Sequence, residues 1–249
     1  MLNKDYPADY HLLSPRLSIQ YRNQSIVHNA NDYKKGFFIY KEPYHLHNIG
    51  HVLGDDIWAY FSLLYDLNLQ FVSRKDVWII ISKSLEDTIN KKSIIQQHYQ
   101  LISANPIIYY DNNLDNKHKN VIYQNLIVGW AGYGYVVTNK YGKSLQPEKI
   151  AAFRLRVVSS FGLSDKINSS STCNVLFIEK ALGVAEHKYS ISNVDELIQT
   201  LRENSSCKIE KASWHGMTLK DQITKIYDKN IVIGLPGSDI MNCIFQPSS

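Results

Sequence analysis

The chain has 249 residues, 44% of them hydrophobic, so it is long enough and apolar enough to bury a substantial core. Its formal net charge is +4, from 27 basic and 23 acidic residues that are scattered along the sequence. Because no block of lysine or arginine is present to follow a phosphate backbone, a nucleic-acid partner is not expected. No segment approaches the roughly 18 uninterrupted apolar residues of a membrane span, and the start has no apolar run of signal-peptide length. As written, the chain is expected to stay in the cytoplasm.

The first part of the chain predicts an extension followed by a Rossmann-like domain. Residues 1–40 are polar and rich in tyrosine, and only residues 36–40 predict a strand, which we expect to be peripheral. From His51 onward, apolar residues recur with helical spacing. Three later apolar runs, with helix-compatible sequence between them, indicate buried strands of βαβ units within a domain at residues 41–165. These runs begin at Val77, Pro106 and Val121.

The pattern changes between residues 139 and 172, where a loop, a helix and a serine-rich connector follow one another, so we expect a domain boundary there. From residue 174 onward strand and helix alternate three times, and Asn193 is predicted as the N-cap of the first helix. Such alternation is typical of a parallel, doubly wound sheet. Residues 174–249 leave room for three strand–helix units, where an ordinary doubly wound domain uses five or six strands. This second domain is therefore expected to be incomplete.

The cysteines predict no metal or disulfide framework. Cys173, Cys207 and Cys243 show no CxxC spacing, and one is left over if two of them pair. We therefore expect buried free thiols.

A histidine and an aspartate lie four residues apart in the stretch HNIGHVLGDDIW at residues 47–58. On a helix, the Asp55 carboxylate would lie one turn from His51, where it can orient the imidazole and stabilise its protonated form, as a general base requires. In a second interpretation, Asp55 and Asp56 are solvated residues that complement the dipole of a helix N-terminus. A third interpretation is a metal site formed by the crowded histidines of this region, although the HxHxDH pattern of binuclear zinc hydrolases is not met. Those histidines are His45, His47 and His51.

The stretch IVIGLPGSD, at residues 231–239, predicts a strand, a turn and a helix start. Ligands of open α/β sheets bind at the carboxyl ends of strands, and a helix N-terminus offers free N–H groups to a phosphate, so this turn is a candidate diphosphate cradle. An ordinary turn that uses Gly237 for its backbone freedom is the alternative. Lys180 and Lys188 can reach a phosphate as point charges, or they can be solvated. The GWAGYG stretch at residues 129–134 lacks the spacing of a dinucleotide fingerprint and predicts no nucleotide site.

Three separated blocks, taken in order, resemble glycosyltransferase family 61, which includes O-linked N-acetylglucosaminyltransferases of the secretory pathway and plant xylosyl- and arabinosyltransferases. The first block resembles the family's Asn-x-x-His-x-x-x-Asp helix, and the second its Ile-x-Asn-x-x-Glu-Leu helix start. The third resembles its Gln-centred helix, Val-x-Gly strand and His-Gly-Ala-Gly-Leu-x-Asn-x-x-Phe-x-Pro signature. The matching residues are Asn48, His51 and Asp55, then Ile191, Asn193, Glu196 and Leu197, then Gln222, Gly234, Gly237, Asn242, Phe245 and Pro247.

The resemblance implies an α/β fold of the GT-B type, in which two Rossmann-like domains face each other across a cleft. It implies transfer of N-acetylglucosamine or xylose from a UDP-sugar to a hydroxyl of a glycan or protein acceptor, with inversion and without a metal ion. His51 oriented by Asp55 would be the base, with Asp55 itself the second choice, whereas His47 and Asp56 would be structural. The residues expected to hold the donor are Lys180, Lys188, Asn193, Gly234, Gly237, Ser238 and Asn242.

The chain departs from the family pattern at the rim where a diphosphate would lie. Pro236 and Asp239 stand where the family has histidine and its second glycine, and Lys180 and Ser190 stand where it has arginines. These changes remove charge-assisted donors and add a negative charge. An inactive relative that acts as a binding module is therefore an alternative function, and a metal-dependent hydrolase is another. Relatives work in the Golgi or endoplasmic reticulum lumen behind an N-terminal anchor, and the same location is expected here if an anchor lies upstream.

Overall fold

A computed structural model describes residues 32–43, 46–110, 121–128, 147–163, 173–180 and 191–246. The strands and helices of the first half alternate largely as the apolar runs predict. In chain order they are β1 Asp32–Tyr40, α1 Ile49–His51, a π-helical segment Val52–Ile57, α2 Trp58–Asp66, β2 Val77–Ser82, α3 Glu86–Asn90, α4 Ser93–Tyr99, β3 Ile108–Tyr110, β4 Val121–Val128 and α5 Pro147–Ser160. Short 3₁₀ helices at Arg74–Asp76 and Lys83–Leu85 flank β2.

The second half repeats the same alternation with shorter elements. Its helices α6 and α7 each have an apolar face and a polar face, as expected for helices that cover a sheet. In chain order the elements are β5 Asn174–Ile178, α6 Val194–Glu203, β6 Lys208–Ala212, α7 Leu219–Tyr227, β7 Ile231–Gly234 and a 3₁₀ helix Ser238–Phe245. The sequence predicts a helix start after Gly237, and the chain forms 3₁₀ rather than α-helical turns there.

Both sheets are parallel. The first has the strand order β3-β2-β1-β4, and the second has the order β6-β5-β7. In the first sheet, Phe38 of β1 pairs with Trp78 of β2 on one side and with Leu126 of β4 on the other. Parallel strands linked by helices confirm the predicted mixed α/β, Rossmann-like fold.

The first strand corrects a prediction. The sequence predicts a peripheral strand of residues 36–40, but β1 runs from Asp32 to Tyr40 and lies between β2 and β4. Its two faces pack into different apolar clusters, Ile39 into one and Phe38 with Tyr40 into the other. Burial on both faces is typical of a central parallel strand. Part of the expected N-terminal extension therefore belongs to the sheet.

One large apolar core crosses the expected domain boundary. Phe153 of α5 contacts Trp58 of α2 and Phe245 of the C-terminal 3₁₀ helix, with ring centroids 5.5 and 5.7 Å apart. Leu219 and Ile223 of α7 are buried in the same cluster. The last helix and the 3₁₀ helix thus pack against helices of the first half, and this packing fixes the position of the C-terminal turn relative to α1.

Two cysteines also differ from expectation. Cys173 and Cys207 form a disulfide, with their Cα atoms 4.5 Å apart, whereas free thiols were expected. The pairing follows from strand register, because Asn174 of β5 lies opposite Lys208 of β6 and each cysteine directly precedes one of these residues. Cys243 is a free thiol whose pKa is raised by burial to about 11.

The described helices are all too short or too polar to cross a bilayer. The GWAGYG stretch at residues 129–134, the connector at residues 164–172 and residues 1–31 of the extension lie outside the described residues.

Candidate functional site

The predicted histidine–aspartate pair is formed at the start of the helix that follows β1. The His51 Nδ1 atom lies 2.5 Å from Asp55 Oδ2, and the two side chains are 41% and 19% exposed. Asn48 caps this helix, because its side-chain oxygen accepts a hydrogen bond from the Gly50 N–H at 2.9 Å. With Nδ1 turned to the carboxylate, the ring is oriented by Asp55, as an imidazole paired with a carboxylate is in general.

Asp56, the neighbour of Asp55, points into the protein. Its Oδ1 accepts a hydrogen bond from Lys41 Nζ at 2.7 Å, and the two side chains are 0% and 2% exposed. Asp56 is therefore not a solvated residue at a helix N-terminus, and that interpretation is wrong for it. The π-helical segment Val52–Ile57 inserts an extra residue into the turn that carries both aspartates. Asp55 lies beside His51, while Asp56 is anchored to the end of β1.

The C-terminal turn depends on an unusual backbone conformation at Gly237. Gly237 has φ +144° and ψ −168°, a conformation that residues with a Cβ rarely adopt. The Lys180 ammonium donates a hydrogen bond to the Pro236 carbonyl at 3.3 Å. A Cβ atom at position 237 would lie 3.2 Å from that ammonium, so Lys180 lies close above the turn. Lys180 and the Gly237 turn, each predicted from the sequence as a candidate part of the donor site, therefore lie in contact with each other.

The two predicted constellations lie next to each other. A Cβ atom at Gly50 would lie 3.2 Å from the Ser238 Cα and 3.3 Å from the Met241 Cγ, so the helix that carries His51 is in direct contact with the turn. The elements that carry the histidine–aspartate pair and the lysine–glycine turn are therefore in contact, although they are almost 190 residues apart in sequence.

Other predicted donor residues occupy different environments. Asn242 is buried, and its amide nitrogen donates to Gln222 Oε1 at 2.8 Å. Asn193 is exposed, and its side chain contacts Glu196 at 3.4 Å instead of capping the helix backbone. Gly234 ends β7 opposite Ile178. Asn242 thus ties the 3₁₀ helix to α7, while Asn193 directly precedes α6 and Gly234 ends β7.

Several predicted residues fall outside the described residues, namely Lys188, Ser190, His45 and Pro247. Of the three crowded histidines, His47 is exposed in a turn and His51 is bound to Asp55. Within the described part of the chain, no group of three or more histidine, cysteine or acidic side chains is arranged to hold a metal ion. Asp239 is partly buried, and its backbone carbonyl accepts a hydrogen bond from Trp214 Nε1 at 2.7 Å.

Sequence reasoning missed a polar cluster at the carboxyl end of β1. Burial raises the pKa of Glu42, and the Tyr40 hydroxyl donates to its Oε1 at 2.8 Å. The Tyr60 hydroxyl donates to the Lys41 carbonyl at 2.8 Å, and Tyr60 is fully buried. The signal was a lysine and a glutamate directly after an apolar strand, because carboxyl ends of parallel strands face a ligand cleft. The chain crosses from β3 back to β4 on the other side of β1, so β1 borders the topological switch point.

Comparison with known proteins finds one family. The family model described as Glycosyltransferase 61 matches residues 88–249, about two thirds of the chain. The matched range begins after the helix that carries His51 and includes Lys180 and the Gly237 turn. No curated protein matches the sequence.

Proposed function

The chain belongs to glycosyltransferase family 61, and we propose that it transfers a sugar from a UDP-sugar to an acceptor hydroxyl with inversion of the anomeric centre. N-acetylglucosamine and xylose are the proposed sugars, and a glycan or protein hydroxyl is the proposed acceptor. The two parallel sheets are proposed to be the halves of a GT-B architecture. The observation that carries this proposal is the contact of Gly50 with Ser238, which brings the helix that carries His51 and Asp55 against the turn that Lys180 contacts.

His51 is the proposed general base. In a single displacement, the acceptor oxygen forms a bond to the anomeric carbon while the bond to the UDP oxygen breaks. The acceptor proton passes to His51 Nε2, and Asp55 at 2.5 Å from Nδ1 stabilises the imidazolium that results. The carboxylate also holds the ring in one tautomer, as an orienting carboxylate does in other histidine-based sites.

Lys180 and the turn are proposed to stabilise the UDP leaving group. Negative charge grows on the β-phosphate as the glycosidic bond breaks, and preorganised donors stabilise such charge strongly. Lys180 supplies a point charge, and the backbone N–H groups from Gly237 to Asp239 supply fixed donors. Asn242 supports this turn through Gln222. Lys188, Asn193 and Gly234 are proposed as further parts of the donor site, and no metal ion is required.

The disulfide supports a second proposal, that the chain folds in an oxidising compartment. A bond between Cys173 and Cys207 joins the first two strands of the second sheet. Thiols of ordinary cytosolic proteins are kept reduced, whereas secretory compartments allow such bonds to persist. This proposal replaces the expectation of a cytoplasmic protein and fits a luminal enzyme.

A non-catalytic binding module is the alternative function, and Asp239 favours it. This carboxylate lies in the first turn of the 3₁₀ helix, where it would repel a diphosphate. The donor-binding experiment decides between the two functions.

The test is thermal unfolding of the full chain with UDP, UDP-N-acetylglucosamine and UDP-xylose, each with and without a chelator. A donor at 100 times its dissociation constant adds about 2.7 kcal/mol to the unfolding free energy. Lys180→Ala should abolish the shift, and Lys208→Ala, which removes an exposed lysine of β6, should keep it. His51→Ala should keep the shift but abolish transfer to an acceptor. If no UDP-sugar shifts the melting temperature, donor binding is absent and the binding-module function is supported instead.

A further inference from the structure

A pocket lies at the amino ends of the strands of the first sheet, whereas His51 follows the carboxyl end of β1. It has a volume of about 400 Å³, within the range of small-molecule sites. Arg74, which lines it, directly precedes the amino end of β2. Lys220, at the start of α7, lines it from the second half of the chain. The pocket therefore lies between the two halves of the chain and apart from the proposed transfer site.

The pocket has an excess of positive charge. Arg74 and Lys220 both line it, and none of the described lining residues is acidic. Neither cation forms an ion pair within the described part of the chain. The Arg74 guanidinium donates one hydrogen bond, to the Gln100 carbonyl at 2.6 Å, and its other N–H groups meet no acceptor within the described part of the chain. Two cations without a counter-ion in a concave site create a field that favours an anion.

A neighbouring arginine strengthens that field. Arg156 of α5 donates hydrogen bonds to the carbonyls of Gln70, Val72 and Ile102 at 2.9 to 3.0 Å. Burial, and next the positive charge of Arg74, lower the pKa of Arg156 to about 10. Arg156 thus adds to the positive charge that Arg74 brings to this part of the fold, and a bound anion would offset that charge.

The other lining groups suit a sugar ring. Phe161 offers a partly exposed aromatic surface, and Gln97 and Gln100 offer side-chain amides. The Gln97 oxygen already accepts the Leu219 N–H at 2.7 Å, so its amide nitrogen remains as a donor. Asp221, which follows Lys220 in sequence, accepts a hydrogen bond from the Thr218 hydroxyl at 2.6 Å. An apolar face surrounded by amide donors can bind a hydroxylated ring, while the two cations bind an anionic group on that ring.

We propose that this pocket binds an acidic saccharide, a sugar unit whose carboxylate, sulfate or phosphate lies between Arg74 and Lys220. The shared chemistry is a sugar ring with an anionic group. Binding here is independent of donor binding and of transfer at His51, so the two proposals can fail separately.

The test is isothermal titration calorimetry of the full chain at a fixed ionic strength of about 150 mM. Salt at this concentration screens weak, non-specific attraction between the protein surface and an anionic ligand. The probes are glucuronate, N-acetylglucosamine 6-sulfate and glucose 6-phosphate, with glucose and inorganic phosphate as matched controls. At least one acidic sugar should have a dissociation constant about tenfold or more below those of glucose and of inorganic phosphate. Comparison of the three acidic sugars shows which anionic group the pocket binds most tightly. If inorganic phosphate binds as tightly as the acidic sugars, the pocket binds anions without recognising a sugar, and the proposal is wrong. If no acidic sugar binds, the proposal is also wrong.

Variants of single cations distinguish binding in the pocket from binding elsewhere on the protein surface. Lys220→Gln removes an exposed cation and should weaken the acidic sugar about tenfold. Lys208→Gln removes an exposed lysine of β6 and should leave affinity unchanged. Arg74→Gln tests the second cation. The melting temperature of this variant is measured as well, because Arg74 also donates a hydrogen bond to the Gln100 carbonyl at the end of α4. If Lys220→Gln and Lys208→Gln bind alike, the pocket is not the binding site.

Discussion

Gly50 lies directly against Ser238, and this contact joins the two halves of the proposed site. A Cβ atom at position 50 would lie 3.1 Å from Asn48 Oδ1, 3.2 Å from the Ser238 Cα and 3.3 Å from the Met241 Cγ. The first atom caps the helix and the second belongs to backbone, so neither can move without disturbing the site. Close approach, and not a special backbone dihedral, explains the glycine at this position.

Gly50→Ala should therefore separate the helix of His51 from the turn. We expect a loss of about 1 to 3 kcal/mol in unfolding free energy, the usual result of overpacking, and a smaller thermal shift with UDP-sugar. Urea unfolding measures the first quantity. Gly234→Ala is the control for the unfolding free energy alone, since a Cβ there would lie 3.4 Å from the Ile178 Cβ, an ordinary contact, whereas its place in the proposed donor site excludes it as a control for the UDP-sugar shift. Equal costs for the two variants would contradict a tight Gly50–Ser238 contact.

Removing one partner of the buried Lys41–Asp56 pair should lower the unfolding free energy strongly, whereas replacing both partners with apolar residues should lower it little. Both side chains are buried, and Asp56 lies next to the residue that orients His51. Lys41→Met leaves the carboxylate buried without its cation, so we expect a loss of about 3 to 5 kcal/mol. The double variant Lys41→Met with Asp56→Leu should regain most of this, because an apolar pair carries no desolvation cost. Chemical unfolding of the parent protein, the two single variants and the double variant measures the coupling free energy between Lys41 and Asp56. Purely additive losses of unfolding free energy would argue against a direct interaction.

The local features of the site could be predicted from the sequence, because they depend on spacing along one element. His51 and Asp55 are four residues apart, and one helical turn brings them together whatever the rest of the fold does. Lys180 and the Gly237 turn were predicted at the ends of parallel strands, and parallel pairing brings such ends to one edge.

The features that were missed depend on neighbours distant in sequence. The central place of β1 depends on the order of strands in the sheet, to which its own residues give no direct clue. The π-helical segment adds one residue to a helical pattern, which a periodicity of 3.6 does not reveal. The disulfide required the register of β5 on β6, and the burial of Asn242 required the packing of the 3₁₀ helix on α7.

The disulfide should contribute substantially to stability. It closes a loop across a sequence separation of 34 residues, for which restriction of the unfolded chain predicts about 2 to 4 kcal/mol. Replacing both Cys173 and Cys207 with serine should lower the unfolding free energy by that amount, while Cys243→Ser should change it less. Thiol counting in denaturant without reductant should find one reactive thiol in the protein. Three reactive thiols in protein isolated from an oxidising compartment would contradict the bond.

The buried histidine of α4 should make the protein sensitive to acid. His98 is fully buried, its Nδ1 lies 2.7 Å from the Ile94 carbonyl, and burial lowers its pKa to about 4 from an ordinary value of 6.5. The unfolded chain therefore binds a proton near pH 6.5, and the folded chain does so only near pH 4. Stability from this group is present above pH 6.5 and is lost as the pH falls toward 4, by about 3 kcal/mol in all.

Unfolding free energies measured between pH 7 and pH 4 test this dependence. His98→Asn keeps a donor for the Ile94 carbonyl but cannot be protonated, so it should lose about 3 kcal/mol less than the parent protein over this range. His215→Asn, which changes an exposed histidine, should follow the parent at every pH. Since carboxylates also titrate over this range, the difference between each variant and the parent is the informative quantity. Parallel curves for His98→Asn and the parent would mean that His98 is not a buried neutral imidazole, because only a group that must gain a proton on unfolding gives the parent its steeper slope.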